Sequence, residues 1–194
     1  MMTLRILLLV VLGLLTVGSA SAEERKVVAQ RADCSITKGD RDDRGTDLIV
    51  ATCHWNADLA RVQTVIRDAP SHVFFSSVVV SRALADGRIV QVHRASGISD
   101  REVTLDFSET AVGEGGVRVG WTKSEKQEPV GEGRVEVVIN EGYWEVHAAG
   151  AGKVKVIYSL RYDPGGRVPS WVVRAFQKNG IADIVEEMRD VVSP

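Results

Sequence analysis

The chain reads as an α+β fold, an antiparallel sheet covered by a long C-terminal helix. Three observations predict it. Residues 78–162 hold a succession of short alternating segments separated by glycine-bearing turns, the pattern of an antiparallel meander. Asp163-Pro164-Gly165-Gly166 then supplies turn chemistry, since proline presets one dihedral and glycine accepts positive φ. Beyond it an apolar stripe at helical spacing begins with Val168, Trp171, Val172, Ala175 and Phe176 and resumes with Ile184, Val185, Met188, Val191 and Val192. Glu186, Glu187, Arg189 and Asp190 face the other way. A helix with one apolar face needs a surface to cover, and the strand segments supply it.

Residues 1–22 read as a cleavable export leader. Arg5 is the positive region, residues 6–15 the apolar run, and Ala20-Ser21-Ala22 the cleavage site. The apolar run falls short of the roughly 18–20 residues that span a bilayer, which weighs against a retained anchor. The mature chain is expected to begin near Glu23, to be periplasmic or secreted, and to form one domain over residues 23–194. The formal net charge is −2 and the charges are dispersed, so nothing points to a nucleic-acid partner.

Cys34 and Cys53 fall in strand-like segments, 27–37 and 47–55, on either side of a polar turn over 38–45. Folding the chain about Asp43 and Arg44 sets the two cysteines opposite each other. A disulfide suits an oxidising compartment; two buried free thiols are the alternative. Neither a CxxC nor a paired histidine is present to make a zinc site. Asp40 and Asp42 begin like a calcium loop, but Arg44 and Ala51 occupy later ligand positions, so the turn reads as a solvated hairpin tip.

Asn56 or Asp58 caps a helix whose stripe is Leu59, Val62, Val65 and Ile66 and which ends at Pro70. Ser71 or His72 starts a short helix through Phe74. Strands are expected over 78–84, 88–95, 102–108, 117–123, 134–141, 143–148 and 153–162. Gly142 is either a tight turn or a bulge in one longer strand. In the last strand Val154, Val156, Tyr158, Leu160 and Tyr162 share a face, so one side of the sheet is apolar and the other wet. Arg101 is in phase with Val103, Leu105 and Phe107. It sits at the rim, or in a structural ion pair, or it is a polar anchor inside an apolar cavity.

Three stretches carry a family resemblance. Ser96-Gly97-Ile98-Ser99-Asp100-Arg101-Glu102, Gly142-Tyr143-Trp144-Glu145-Val146 and Asp163-Pro164-Gly165-Gly166-Arg167-Val168-Pro169-Ser170-Trp171 resemble, in order, three motifs of the START domain, the lipid-binding branch of the helix-grip (SRPBCC) superfamily. The third is the most specific. The resemblance covers the chain from about Asp58 onward and is to an exported bacterial form. It implies a helix-grip fold, a curved antiparallel sheet wrapped around a long C-terminal helix, with an elongated apolar tunnel between them.

Such a domain holds a lipid, a sterol or another hydrophobic small molecule, without cofactor or metal, and touches a membrane transiently. The expected ligand-binding wall is Val103, Leu105, Phe107, Val119, Trp121 and Val137, continued by Trp144, Val156, Tyr158, Val172 and Phe176, with Arg101 as the polar contact. The alternatives are a polyketide cyclase- or hydratase-like enzyme and a ligand-free interaction domain. The first requires a polar cavity set such as His93, Arg101 and Tyr158 to converge, while the histidines lack metal-site spacing and no nucleophile elbow is present. Asn179-Gly180 interrupts the closing helix, as a kink, as a cap or as a hinge.

Overall fold

The computed structural model describes residues 26–31, 33–169, 171–172 and 176–193. The expected leader, Ser170 of the third motif and Ala175 of the closing stripe lie outside the described residues. Ten strands form one sheet: β1 Lys26–Arg31, β2 Cys34–Arg41, β3 Asp47–Asn56, β4 Val78–Ala83, β5 Ile89–His93, β6 Arg101–Val112, β7 Gly116–Lys123, β8 Val135–Glu136, β9 Ile139–Ala148 and β10 Lys153–Asp163. Their order is β1-β2-β3-β10-β9-β7-β6-β5-β4, every pair antiparallel except the short parallel contact of β8 with β6. Helix α1 spans Leu59–Arg67 and is followed by a tight turn over Ala69–Phe74; helix α2 spans Ile181–Val192.

Local chemistry accounts for the elements. Asp58, not Asn56, caps α1: its carboxylate accepts the Arg61 N–H at 2.9 Å, while Val62 and Ile66 turn inward. Helix α2 buries Ile181, Ile184, Val185, Met188 and Val192 and packs on β3 and α1. On β10 Val154, Val156, Tyr158 and Leu160 form a buried row in the same apolar cluster as the buried residues of these helices. The C-terminal helix therefore covers the apolar face of a curved antiparallel sheet.

Three segments differ from expectation. Residues 27–37 make two strands rather than one, reversing between Arg31 and Cys34, which pair with each other. Strand β6 runs four residues beyond Ser108, because Glu109–Val112 pair with β7 across a hairpin although their side chains are largely exposed and show no alternation. The expected strands 134–141 and 143–148 become a two-residue β8 and one long β9, with Gly142 inside it. Gly142 is neither turn nor bulge. A Cβ there would lie 2.1 Å from the Ser159 carbonyl oxygen and 2.8 Å from Trp121, so glycine is needed for close approach, not for turning.

Cys34 and Cys53 are cross-strand partners on β2 and β3 and form a buried disulfide. They are 19 residues apart, a loop whose closure is worth about 3 kcal/mol in the chain-entropy model. Replacing both cysteines by alanine is expected to lower unfolding stability by about that amount. Denaturant titration of the purified variant checks it; an unchanged midpoint would mean the link constrains nothing.

Candidate functional site

Rows of side chains crossing the sheet define where the cavity lies. Tyr162 pairs with Asn140; Leu160 pairs with Gly142, which pairs with Trp121 and so reaches Phe107; Tyr158 pairs with Trp144. These three rows form a floor. The next row, Val156–Val146–Val117, belongs to the packed core on the side where α1 rests on β7 and β9. Over the three open rows stand Val168, Val172, Phe176, Ile181 and Ile184 from the C-terminal segment. Between floor and roof is a cavity of about 150 Å³, counted as space open to the centre of a water-sized sphere. On that measure a water takes ~10–15 Å³, so the space holds on the order of ten waters, or roughly 300 Å³ of liquid. That is the lower end of the range of about 300–1,000 Å³ for small-molecule pockets.

Of the expected wall, Leu105, Phe107, Trp121, Trp144, Tyr158, Val172 and Phe176 line this cavity. Val103, Val119, Val137 and Val156 do not; they are buried in the solid core. Val156 lies one row too far toward the helices. Val137 is drawn into a bridge: its N–H donates to Glu102 on β6 at 3.1 Å and the next N–H, of Val138, donates to Asp163 at 3.0 Å.

Arg101 also stands apart from the cavity. Its guanidinium is buried, neither at the rim nor in an ion pair among the described residues. Nη1 donates to the Ser99 carbonyl and Nη2 to the Gly165 carbonyl at 3.5 Å, while Nε has no partner. The phase reading put Arg101 on the inner face, but the Ser99 carbonyl and the Gly165 turn close over it.

Gln91, Asn140 and Tyr162 line the cavity without being among the expected site residues, and they meet two that were, His93 and Trp121. His93 Nδ1 lies 3.1 Å from the Tyr162 hydroxyl and Nε2 lies 3.2 Å from Gln91 Oε1. The Trp121 indole N–H donates to Asn140 Oδ1 at 2.8 Å. Histidine 93 was ambiguous because Ile89, Val90, Gln91 and Val92 are all buried, so β5 shows no alternation. Its pairing with Arg101 and Gln91's pairing with Val103 settle the face. Of the conditional set, His93 bonds to Tyr162 rather than to Arg101 or Tyr158.

Burial governs the electrostatics. Desolvation holds His93 neutral, its pKa pushed down to about 4. Tyr158 and Tyr162 are pushed above the usual phenol range, again by burial, with the Arg101 cation opposing at Tyr162. His72, also on the wall, is lowered by burial. The two formally charged wall residues are compensated: Asp47 by Arg41 at 2.7 Å and Lys38 at 2.5 Å, Arg94 by Asp100 at 2.8 Å.

Gly180 occupies the N-cap position of α2 with helical φ and ψ of −59° and −36°, in line with the cap alternative. Phe176–Gly180 form one π-helical turn that leads into α2, and a Cβ on Gly180 would stand 2.6 Å from the Phe176 ring. That ring lines the cavity and packs on Tyr162 with centroids 5.5 Å apart.

Two outcomes follow from this geometry. An unfolded His93 protonates near pH 6.5 and the folded one only near about 4, so the unfolded chain binds the extra proton between them. Stability is therefore full above pH 6.5 and falls as pH drops toward 4, by roughly 3 kcal/mol. His93→Gln should flatten that slope in denaturant titrations; an equally steep slope would clear His93. Gly180→Ala gains about 1 kcal/mol of helix propensity. It must displace Phe176, however, so thermal melting and dye uptake should both show net loss; a more stable variant with unaltered uptake would contradict the packing.

Comparison with known proteins now places the chain. The family model described as polyketide cyclase / dehydrase and lipid transport matches residues 55–189. Human StAR-related lipid transfer protein 5 superposes with a TM-score of 0.80 at 14% identity, over 90% of this chain and 88% of that one. A STAR-related lipid transfer protein from Xanthomonas axonopodis gives 0.75 at 19% identity, over 86% and 97%. The Zhui aromatase/cyclase of Streptomyces sp. R1128 gives 0.52 at 12% identity, over 75% and 93%. No curated protein sequence matches. With well over half of its length matched by the family model, the chain belongs to the polyketide cyclase/dehydrase and lipid-transport family, and it carries the helix-grip fold, sheet and C-terminal helix, that these structures share.

Proposed function

We propose that the protein is an exported carrier that holds one hydrophobic small molecule, a lipid or sterol, between its sheet and its C-terminal segment. The observation that carries this is the cavity itself, floored by Phe107, Trp121, Trp144 and Tyr158 and roofed by Val172 and Phe176. Burial of aromatic and aliphatic surface there favours an apolar guest by about 25 cal/mol per Å² removed from water. Transfer rather than chemistry is supported by the wall's titration state. A general acid or base works best with a pKa near the working pH, whereas His93 stays neutral far below it and both tyrosines far above it.

Exit requires the roof to meet an acceptor. Trp171, 61% exposed beside the roof residue Val172, is placed to enter a membrane interface, where tryptophan is favoured. Export is supported by the leader-like residues 1–22 and by the disulfide, which suits an oxidising compartment.

Mass spectrometry of the protein purified from a secreting bacterial host tests both parts. The intact mass should correspond to a chain starting near Glu23, and solvent extraction should release an apolar compound in near-equal molar amount. A protein that releases none and takes up no neutral apolar dye would end the carrier reading.

A further inference from the structure

The hydrogen atoms at the polar end of the cavity can be assigned by elimination. The Ala69 carbonyl can only accept, so Ser81 must donate its single hydroxyl hydrogen to it, at 2.8 Å. Ser81 Oγ, its hydrogen spent, can then only accept from Gln91 at 3.2 Å, which turns the Gln91 amide nitrogen toward it. Gln91 Oε1 consequently faces His93 Nε2 at 3.2 Å and must receive a hydrogen from it. A neutral imidazole protonated at Nε2 is bare at Nδ1, so Nδ1 accepts from the Tyr162 hydroxyl at 3.1 Å. One backbone carbonyl thus fixes the direction of four successive hydrogen bonds. Tyr162, at the free end, has no hydrogen left to offer. Its oxygen shows the cavity lone pairs only.

The rest of the wall agrees with a neutral guest. Asp47 and Arg94 are already paired with opposite charges, and Arg101 is occupied behind the wall with the Ser99 and Gly165 carbonyls. A carboxylate entering here would lose its water and meet an oxygen lone pair, with no free cation on the wall among the described residues.

Resting on the carrier reading above, we propose that Tyr162 selects the ligand's polar end as a hydrogen-bond donor: the cavity takes neutral apolar molecules bearing a hydroxyl group, and disfavours the matching acids and ethers. A site built to pair with a hydroxyl rejects the analogue that lacks it, because its own buried oxygen is then left unpaired.

Displacement of the neutral dye N-phenyl-naphthylamine from the purified full-length protein tests this, with decanol, its methyl ether and decanoate compared at about pH 8, where the acid is ionised. Decanol should displace the dye at a concentration lower by about tenfold or more than either analogue. In Tyr162→Phe, whose fold is checked by circular dichroism, the alcohol and the ether should converge. Ether equal to alcohol in the unaltered protein, or decanoate the best of the three, would overturn the proposal whether or not the variant folds. Should the dye and all three compounds fail to bind, the carrier reading itself falls and takes this one with it. Dye binding without alcohol preference removes only the selection by Tyr162.

Discussion

The apolar face of this sheet is about twice as wide as helix α2 is long. Nine strands in sequence across the sheet span about 38 Å at ~4.8 Å each, before curvature. The twelve residues of α2 extend about 18 Å. Over three rows of its apolar face the C-terminal segment stands off from the floor and leaves a gap. Side chains from Val168, Val172 and Phe176 reach over that gap without filling it. The cavity is thus the space between this roof and a floor that includes the bulky Trp121 and Trp144.

A gap of this kind would be costly if it were both polar and dry, and the distribution of polar atoms limits that cost. The Trp121 indole N–H is satisfied by Asn140 Oδ1, and the Tyr162–His93–Gln91–Ser81 series ends on a carbonyl that needs a donor in any case. No titratable group on the wall has to be charged without a partner among the described residues. The polar end is thereby rigid and directional while the remainder stays apolar, the division of labour expected where a few groups orient an otherwise greasy guest.

What was legible in the sequence was whatever leaves a periodic trace on one exposed face. The strand of Val154, Val156, Tyr158 and Leu160 alternates because its other face carries Lys153, Lys155 and Arg161, and the helix of Ile184, Val185 and Met188 shows its stripe for the same reason. Cys34 and Cys53 were readable because a polar turn lies midway between them. Where both faces are buried the trace vanishes, as at His93 on β5. Periodicity also gives a side but not a depth along the strand. Val156 and Tyr158 share a face, yet only the second reaches the cavity, because Val156 lies in the next row, packed into the core with Val146 and Val117. Gly142 defeated the reading from the opposite direction: its cause is a neighbouring strand's carbonyl and a tryptophan ring, which local sequence does not contain.

Arg101 links the two stretches whose resemblance was read separately. Its guanidinium reaches from the start of β6 to the carbonyl of Gly165, so the Ser99-Asp100-Arg101 stretch and the Asp163-Pro164-Gly165-Gly166 turn are one contact. The turn is shaped for it. Gly165 and Gly166 hold φ of 68° and 66°, and a Cβ on Gly165 would fall 2.5 Å from the Glu136 carbonyl oxygen. Asp163 then accepts the Gly165 N–H at 2.9 Å. A buried cation that meets carbonyl dipoles instead of a carboxylate is held less strongly than an ion pair would hold it, since each dipole offers only a partial charge. Such a tie fixes the direction in which the chain leaves β10 for the roof, and the α2 end of that roof is held separately, by the Ser76 N–H donating to Glu187 at 3.1 Å and by Arg31 paired with Glu186 at 3.1 Å.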